Sequence, residues 1–72
     1  MVADSVAFRV GVRRAQRAKQ SGTLRPMTGL QLWTLDLVHV DALVHELDRE
    51  VVVEDLWDFA AGWNSVAVTE RN

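Results

Sequence analysis

The clearest pattern in the chain is a run of apolar positions that steps by three and four. Leu30, Trp33, Leu37, Val40, Val44, Leu47 and Val51 follow this spacing without a Gly or Pro between them. Such a spacing puts every member on one stripe of a helix and is the seam of a heptad repeat. It predicts a helix over about 29–50. Leu32, Leu35, Val38, Ala42 and Leu43 flank the seam, so the first half of this helix is apolar nearly all round. A helix of that kind is covered on more than one side. The second half turns polar, with His45, Glu46, Asp48, Arg49 and Glu50 around the seam.

A second stripe follows out of phase with the first: Val52, Leu56, Phe59 and Trp63. Glu54 and Asp55 stand at its start, where carboxylates suit the positive end of a helix dipole. Gly62 and Asn64 read as its stop, giving a helix over about 53–63 and a loose tail over 64–72. The pattern leaves open whether the chain breaks near residue 51 or continues as one helix with a rotated face.

The N-terminal segment is ambiguous. Val6, Phe8, Val10 and Val12 alternate with Ala7, Arg9 and Gly11, which is the period of a strand. Against this, Arg13 to Gln20 consists of good helix formers, Asp4 or Ser5 can cap a helix, and Ser21-Gly22 can end one. A helix over about 4–20 is the reading adopted, although Gly11 in its middle costs about 1 kcal/mol. Ser21 to Thr28 is a linker punctuated by Gly22 and Pro26. The expected fold is mainly α: two to three helices in a hairpin or small bundle, completed by a partner chain.

Size sharpens that last expectation. Seventy-two residues form one small domain at most, and a chain so short buries only about 60% of its unfolded surface, so it usually needs a staple. It has no Cys, so neither disulfides nor thiolate metal sites can staple it. The N-terminus shows no signal-peptide pattern, and no uncharged run approaches the ~20 residues that span a bilayer. A cytoplasmic protein, or one within a virion or intracellular assembly, is expected. The wealth of Val, Ala and Arg suits a GC-rich bacterial or phage genome.

Charge is divided along the chain. Residues 1–26 carry +5, from Arg9, Arg13, Arg14, Arg17, Lys19 and Arg25 against Asp4, whereas residues 27–72 carry -7. The split suggests head-to-tail protein contacts, a polyanion partner for the basic segment, or attraction between the halves within one fold.

Chemistry is sparse. His45-Glu46-Leu47-Asp48-Arg49 imitates the start of a zinc-protease motif, but Arg49 stands where the second His is needed. His39 and His45 point in different directions on one helix, and solvated pairs with Asp36 and Asp41 account for them. No nucleophile elbow or phosphate loop is present. Thr34-Leu35-Asp36-Leu37-Val38 is similar to the start of the second helix of acyl carrier proteins, where a serine carries phosphopantetheine. Here Thr34 replaces that serine, Trp33 replaces the preceding Asp, and the register diverges after Val38. No cofactor and no metal are expected. The expected role is a non-catalytic protein-binding or structural assembly subunit. It would dock through Leu30, Trp33, Leu37, Val40, Val44, Leu47 and Val51, with Trp57 as a further anchor. The alternative is a dimeric nucleic-acid-binding regulator that uses the six basic residues of the N-terminal segment.

Overall fold

The computed structural model describes residues 5–28 and 37–68. Three helices are present: α1 (Val6–Gln20), α2 (Leu37–Leu47) and α3 (Val53–Ala67), and the described residues form no strand. Helix α1 packs against both of the others.

Helix α1 begins and ends by local chemistry. The Ser5 hydroxyl accepts the Phe8 N–H at 3.1 Å, satisfying one of the free donors of the first turn. At the other end Gly22 takes a φ of 76°, the left-handed conformation that suits glycine. Its N–H reaches the Lys19 carbonyl and that of Thr23 the Ala18 carbonyl, the paired bonds of a Schellman stop. The buried positions of α1 are Ala7, Val10, Gly11 and Ala15, which is helical spacing and not alternation. The strand pattern of residues 6–12 therefore comes from apolar side chains lying on several sides of one helix.

The buried positions of α1 are small, and that lets α3 come very close. A Cβ added at Gly11 would fall on the Phe59 carbonyl oxygen, and one added at Gly62 on the carbonyl oxygen of Phe8. The two glycines thus face the partner backbone from opposite sides of one crossing. The propensity cost of Gly11 is offset by this approach, which brings the two backbones into direct contact. Around the crossing lie Ala7, Val10, Ala15, Phe59, Trp63 and Ala67, all buried, joined by Leu43 from α2.

Helix α3 runs four residues past the expected end, to Ala67. Gly62 and Asn64 do not stop it because both have tertiary work. Gly62 is the contact point with α1. The Asn64 amide pairs with the linker backbone, accepting the Met27 N–H at 2.7 Å and donating to the Met27 carbonyl at 2.8 Å. The Trp63 indole N–H donates to the Arg25 carbonyl at 2.6 Å. The linker is thus tied down on α3 through backbone groups on both sides of Pro26.

Between α2 and α3 the chain breaks, earlier than the pattern implied. Helix α2 ends at Leu47, and Asp48 takes a left-handed φ of 56°, a conformation that Asp adopts more readily than most residues. The expected continuation to residue 50 gives way to this turn. Beyond it, Arg49 clamps Asp55 with two hydrogen bonds of 2.8 and 3.0 Å, and Asp55 also accepts the Val52 N–H at 2.9 Å. This is the carboxylate half of a capping box; Val52 has no acceptor to supply the other half. Asp55 is 6% exposed, and the Arg49 hydrogen bonds hold its carboxyl below the usual carboxylate range against the opposing effect of burial.

Candidate docking faces

The single seam expected over 30–51 is divided in the structure. Leu30 and Trp33 lie outside the described residues, as do Thr34 to Asp36 and the side chain of Leu37. Leu47 and Val51 pack against the chain's own core from the two sides of the Asp48 turn. Val40 is half-buried, and Val44 is 43% exposed. The residue of α2 that enters the core completely is Leu43, a flanking position one step from the seam. The turn at Asp48 separates Val51 from the rest of the seam. A heptad stripe faces one way only while the helix continues, and here the chain changes direction before Val51.

Helix α3 carries the more coherent exposed stripe. Val53 and Trp57 are 51% and 52% exposed, and Ala61 is also exposed. These residues recur every four positions, so they share one side of the helix. Val68 continues the same side at the C-cap, and Val52 adjoins it at the N-cap; both are exposed. Phe59 and Trp63 lie about half a turn away, in the core. Glu54 and Asp58 border the outer stripe, and Asp58 accepts a hydrogen bond from the Ser5 hydroxyl at 3.1 Å. Helix α3 is therefore apolar on two sides and acidic between them. Of the expected anchors, Trp57 is the one on this face; Val53 and Ala61 were legible as its four-residue neighbours.

The basic residues of α1 divide by face. Arg9, Arg13 and Arg17 step by four along its exposed side. Arg13 meets Glu46 at 3.4 Å, linking the basic and acidic halves of the chain. An open groove on this side is lined by Val6, Phe8, Arg9, Val12, Arg13, Gln16 and Glu46. Arg14 points elsewhere: its Nε donates to His39 Nδ1 at 2.7 Å. Lys19 and Arg25 are exposed at the end of α1 and in the linker.

His39 departs from the expected solvated position. Its ring is half-buried and lies 5.3 Å from that of Phe59 and 5.2 Å, edge-on, from that of Trp63. The unmet signal was the aromatic pair four residues apart in α3, which offers a hydrogen-bonding ring an apolar seat. Among the described residues no three His, Asp or Glu side chains are grouped to hold a metal ion. No helix among them is long and apolar enough to cross a membrane. Compared with known protein families, with curated proteins and with solved structures, the chain matches none of them.

Proposed function

We propose that this chain is a small protein-binding module, a structural or adaptor subunit that docks through the outer face of α3. The observation that supports it most is Trp57. A tryptophan is a costly residue to leave half in water, and it is among the residue types enriched at interface anchors. Here it stands midway between Val53 and Ala61 on a helix whose opposite side already fills the core. Lone exposed apolar residues need no explanation, but a helical stripe of them facing away from the core marks an interaction surface. About half of the Val53 and Trp57 surface stays in water in this fold.

The test is a photo-crosslinking amino acid placed at position 57 in cells that express the protein, with the exposed linker position Thr23 as control. The expected result is a protein adduct at 57 that is absent at 23. Equal labelling at both positions, or no adduct at 57, overturns the docking role of α3.

A second reading rests on the exposed step of Arg9, Arg13 and Arg17, which would meet successive phosphates of a nucleic acid. Glu46 beside Arg13 weakens it, as does the acidic remainder of the chain. Binding to duplex DNA that falls steeply with salt would support it; no binding at low salt removes it.

A further inference from the structure

The exposed sides of α1 and α3 are complementary to each other, and they point apart. At 100° per residue, Arg9 and Arg13 lie about half a turn from Gly11, the contact point of α1. Trp57 and Ala61 lie about half a turn from the Phe59 and Trp63 side of α3. The two helices are thus joined at the Gly11 and Gly62 crossing and present their other sides in opposite directions. One side carries Arg9, Arg13 and Arg17 with Glu46 paired to Arg13, so it stays net basic, and it has an apolar margin from Val6 and Val12. The other is apolar with an acidic margin, from Glu54 and Asp58. Within one molecule these faces cannot meet.

We infer that the occupant of the α3 face is the α1 face of a second copy of this chain. The inference rests on the docking reading above and names its partner. Charge complementarity carries it. A symmetric pairing of two α3 faces would bring Glu54 and Asp58 of both copies into one interface, adding like charges where no base stands on that face. Seating the α3 face on α1 instead sets Glu54 and Asp58 near Arg9 and Arg13, and gives Trp57 the groove between them and Val12. Opposite potentials across an interface fix its partner and register. Such a contact is heterologous, each copy using one face to give and the other to receive, so copies add in a row or close into a ring. Two faces of standard size, about 800 Å² each, are about a third of the 5096 Å² the chain exposes. A subunit of this size can therefore hold a neighbour on each side.

Two variants separate this arrangement from every other. Trp57→Glu removes the α3 face, and Arg9→Glu with Arg13→Glu removes the α1 face; circular dichroism checks that both stay helical. Light scattering after size exclusion is then run at rising protein concentration in low and high salt. The wild type is expected to grow beyond a dimer as concentration rises, and to fall back at least tenfold in association constant at high salt. Each variant alone is expected to remain a monomer. Their equimolar mixture is expected to form a dimer and stop there, because one intact face survives on each. A wild type that stays monomeric overturns the inference, whether the α3 face takes a different protein or is covered by residues 29–36. A wild-type dimer that grows no further, with one variant still dimerising on its own, also overturns it, in favour of a symmetric contact through the face that this variant keeps. The crosslink at position 57 distinguishes the two levels. An adduct of a mass other than a multiple of 8.1 kDa keeps the docking role and removes the second copy; no adduct removes both.

Discussion

Trp57 and Trp63 sit six residues apart on one helix and live in different solvents. Trp63 is 7% exposed. Its ring packs beside Phe59 and His39, and its indole N–H is spent on the Arg25 carbonyl. Trp57 is half exposed and stands outside the core cluster. Six residues turn a helix through about 240° net of whole turns, enough to carry one tryptophan into the core and the other out of it. The chemistry of the side chain is the same in both places. What differs is what stands opposite: for Trp63 a helix brought close by glycine, for Trp57 solvent over about half of its surface. The two residues should therefore answer different experiments, one measuring the fold and the other measuring association.

The largest effects are expected on the Trp63 side. Trp63→Ala removes a buried ring and the tie to Arg25, and substitutions of this type cost about 3–5 kcal/mol. A chain of this length has about 4–11 kcal/mol in all, so the variant should be unfolded or close to it by urea titration and circular dichroism. Gly62→Ala comes next. A single methyl there meets the Phe8 backbone, not a side chain that can swing away, and the two helices must separate to admit it. Overpacking of this kind costs about 1–3 kcal/mol and more where the backbone resists. Gly22→Ala is the control among glycines: space is open around it and only its φ of 76° is strained, for about 1 kcal/mol. If Gly62→Ala proves no worse than Gly22→Ala, the close crossing does not hold the fold together.

These glycines show where the sequence was legible and where it was not. Helix α1 could be bounded from local signals, because Ser5 and the Ser21-Gly22 stop act on their own neighbours. The start of α3 was equally local, from Glu54 and Asp55. Its end was not: Gly62 and Asn64 carry the residue types of a helix stop, and only the presence of α1 and the linker makes them interior positions. The seam over 30–51 failed at its second half for a similar reason. Heptad spacing constrains a stripe only if the helix is continuous, and the left-handed turn at Asp48 is followed by a pairing, Arg49 with Asp55, that spans six residues and leaves no periodic trace. Trp57 was singled out as an anchor from residue type alone. Val53 and Ala61 were within reach of the four-residue spacing, and only Val68 joined the face once α3 was seen to reach residue 67.

A smaller effect is expected at the turn. Asp55→Ala removes the acceptor of the Val52 N–H and the partner of Arg49, for about 1–2 kcal/mol. It should also change the pH dependence. The folded carboxyl lies below its usual range because Arg49 and Val52 favour the charged form. Between the folded value and the unfolded value near 4, the unfolded state therefore binds more protons, and stability rises with pH. The contribution of Asp55 is complete above about pH 4–5 and is lost as acid titrates the folded carboxyl. Urea midpoints of the wild type should fall over that acid range, and those of the Asp55→Ala variant should fall less. Parallel curves would mean that the clamp is a surface pair with no hold on the turn.

The smallest effect on stability, and the sharpest form of the comparison, belongs to Trp57. Trp57→Ala strips a side chain that is already half in water, and surface changes of this kind stay within about 0.5 kcal/mol. Helicity and urea midpoint should match the wild type. Association, measured by the concentration dependence of mass in solution, should fall at least tenfold, since truncating a central interface anchor costs 2 kcal/mol or more of binding and 1.4 kcal/mol is already a factor of ten. Trp63→Ala cannot give this split, because it removes the fold and the association together. Should Trp57→Ala lower the urea midpoint as far as the mass, the outer stripe of α3 belongs to the folding core after all, and the difference between the two tryptophans is one of degree. Should it change neither, the exposure of Trp57 has no consequence for binding. Stability kept and association lost is the outcome that separates a helix with two working faces from a helix with one.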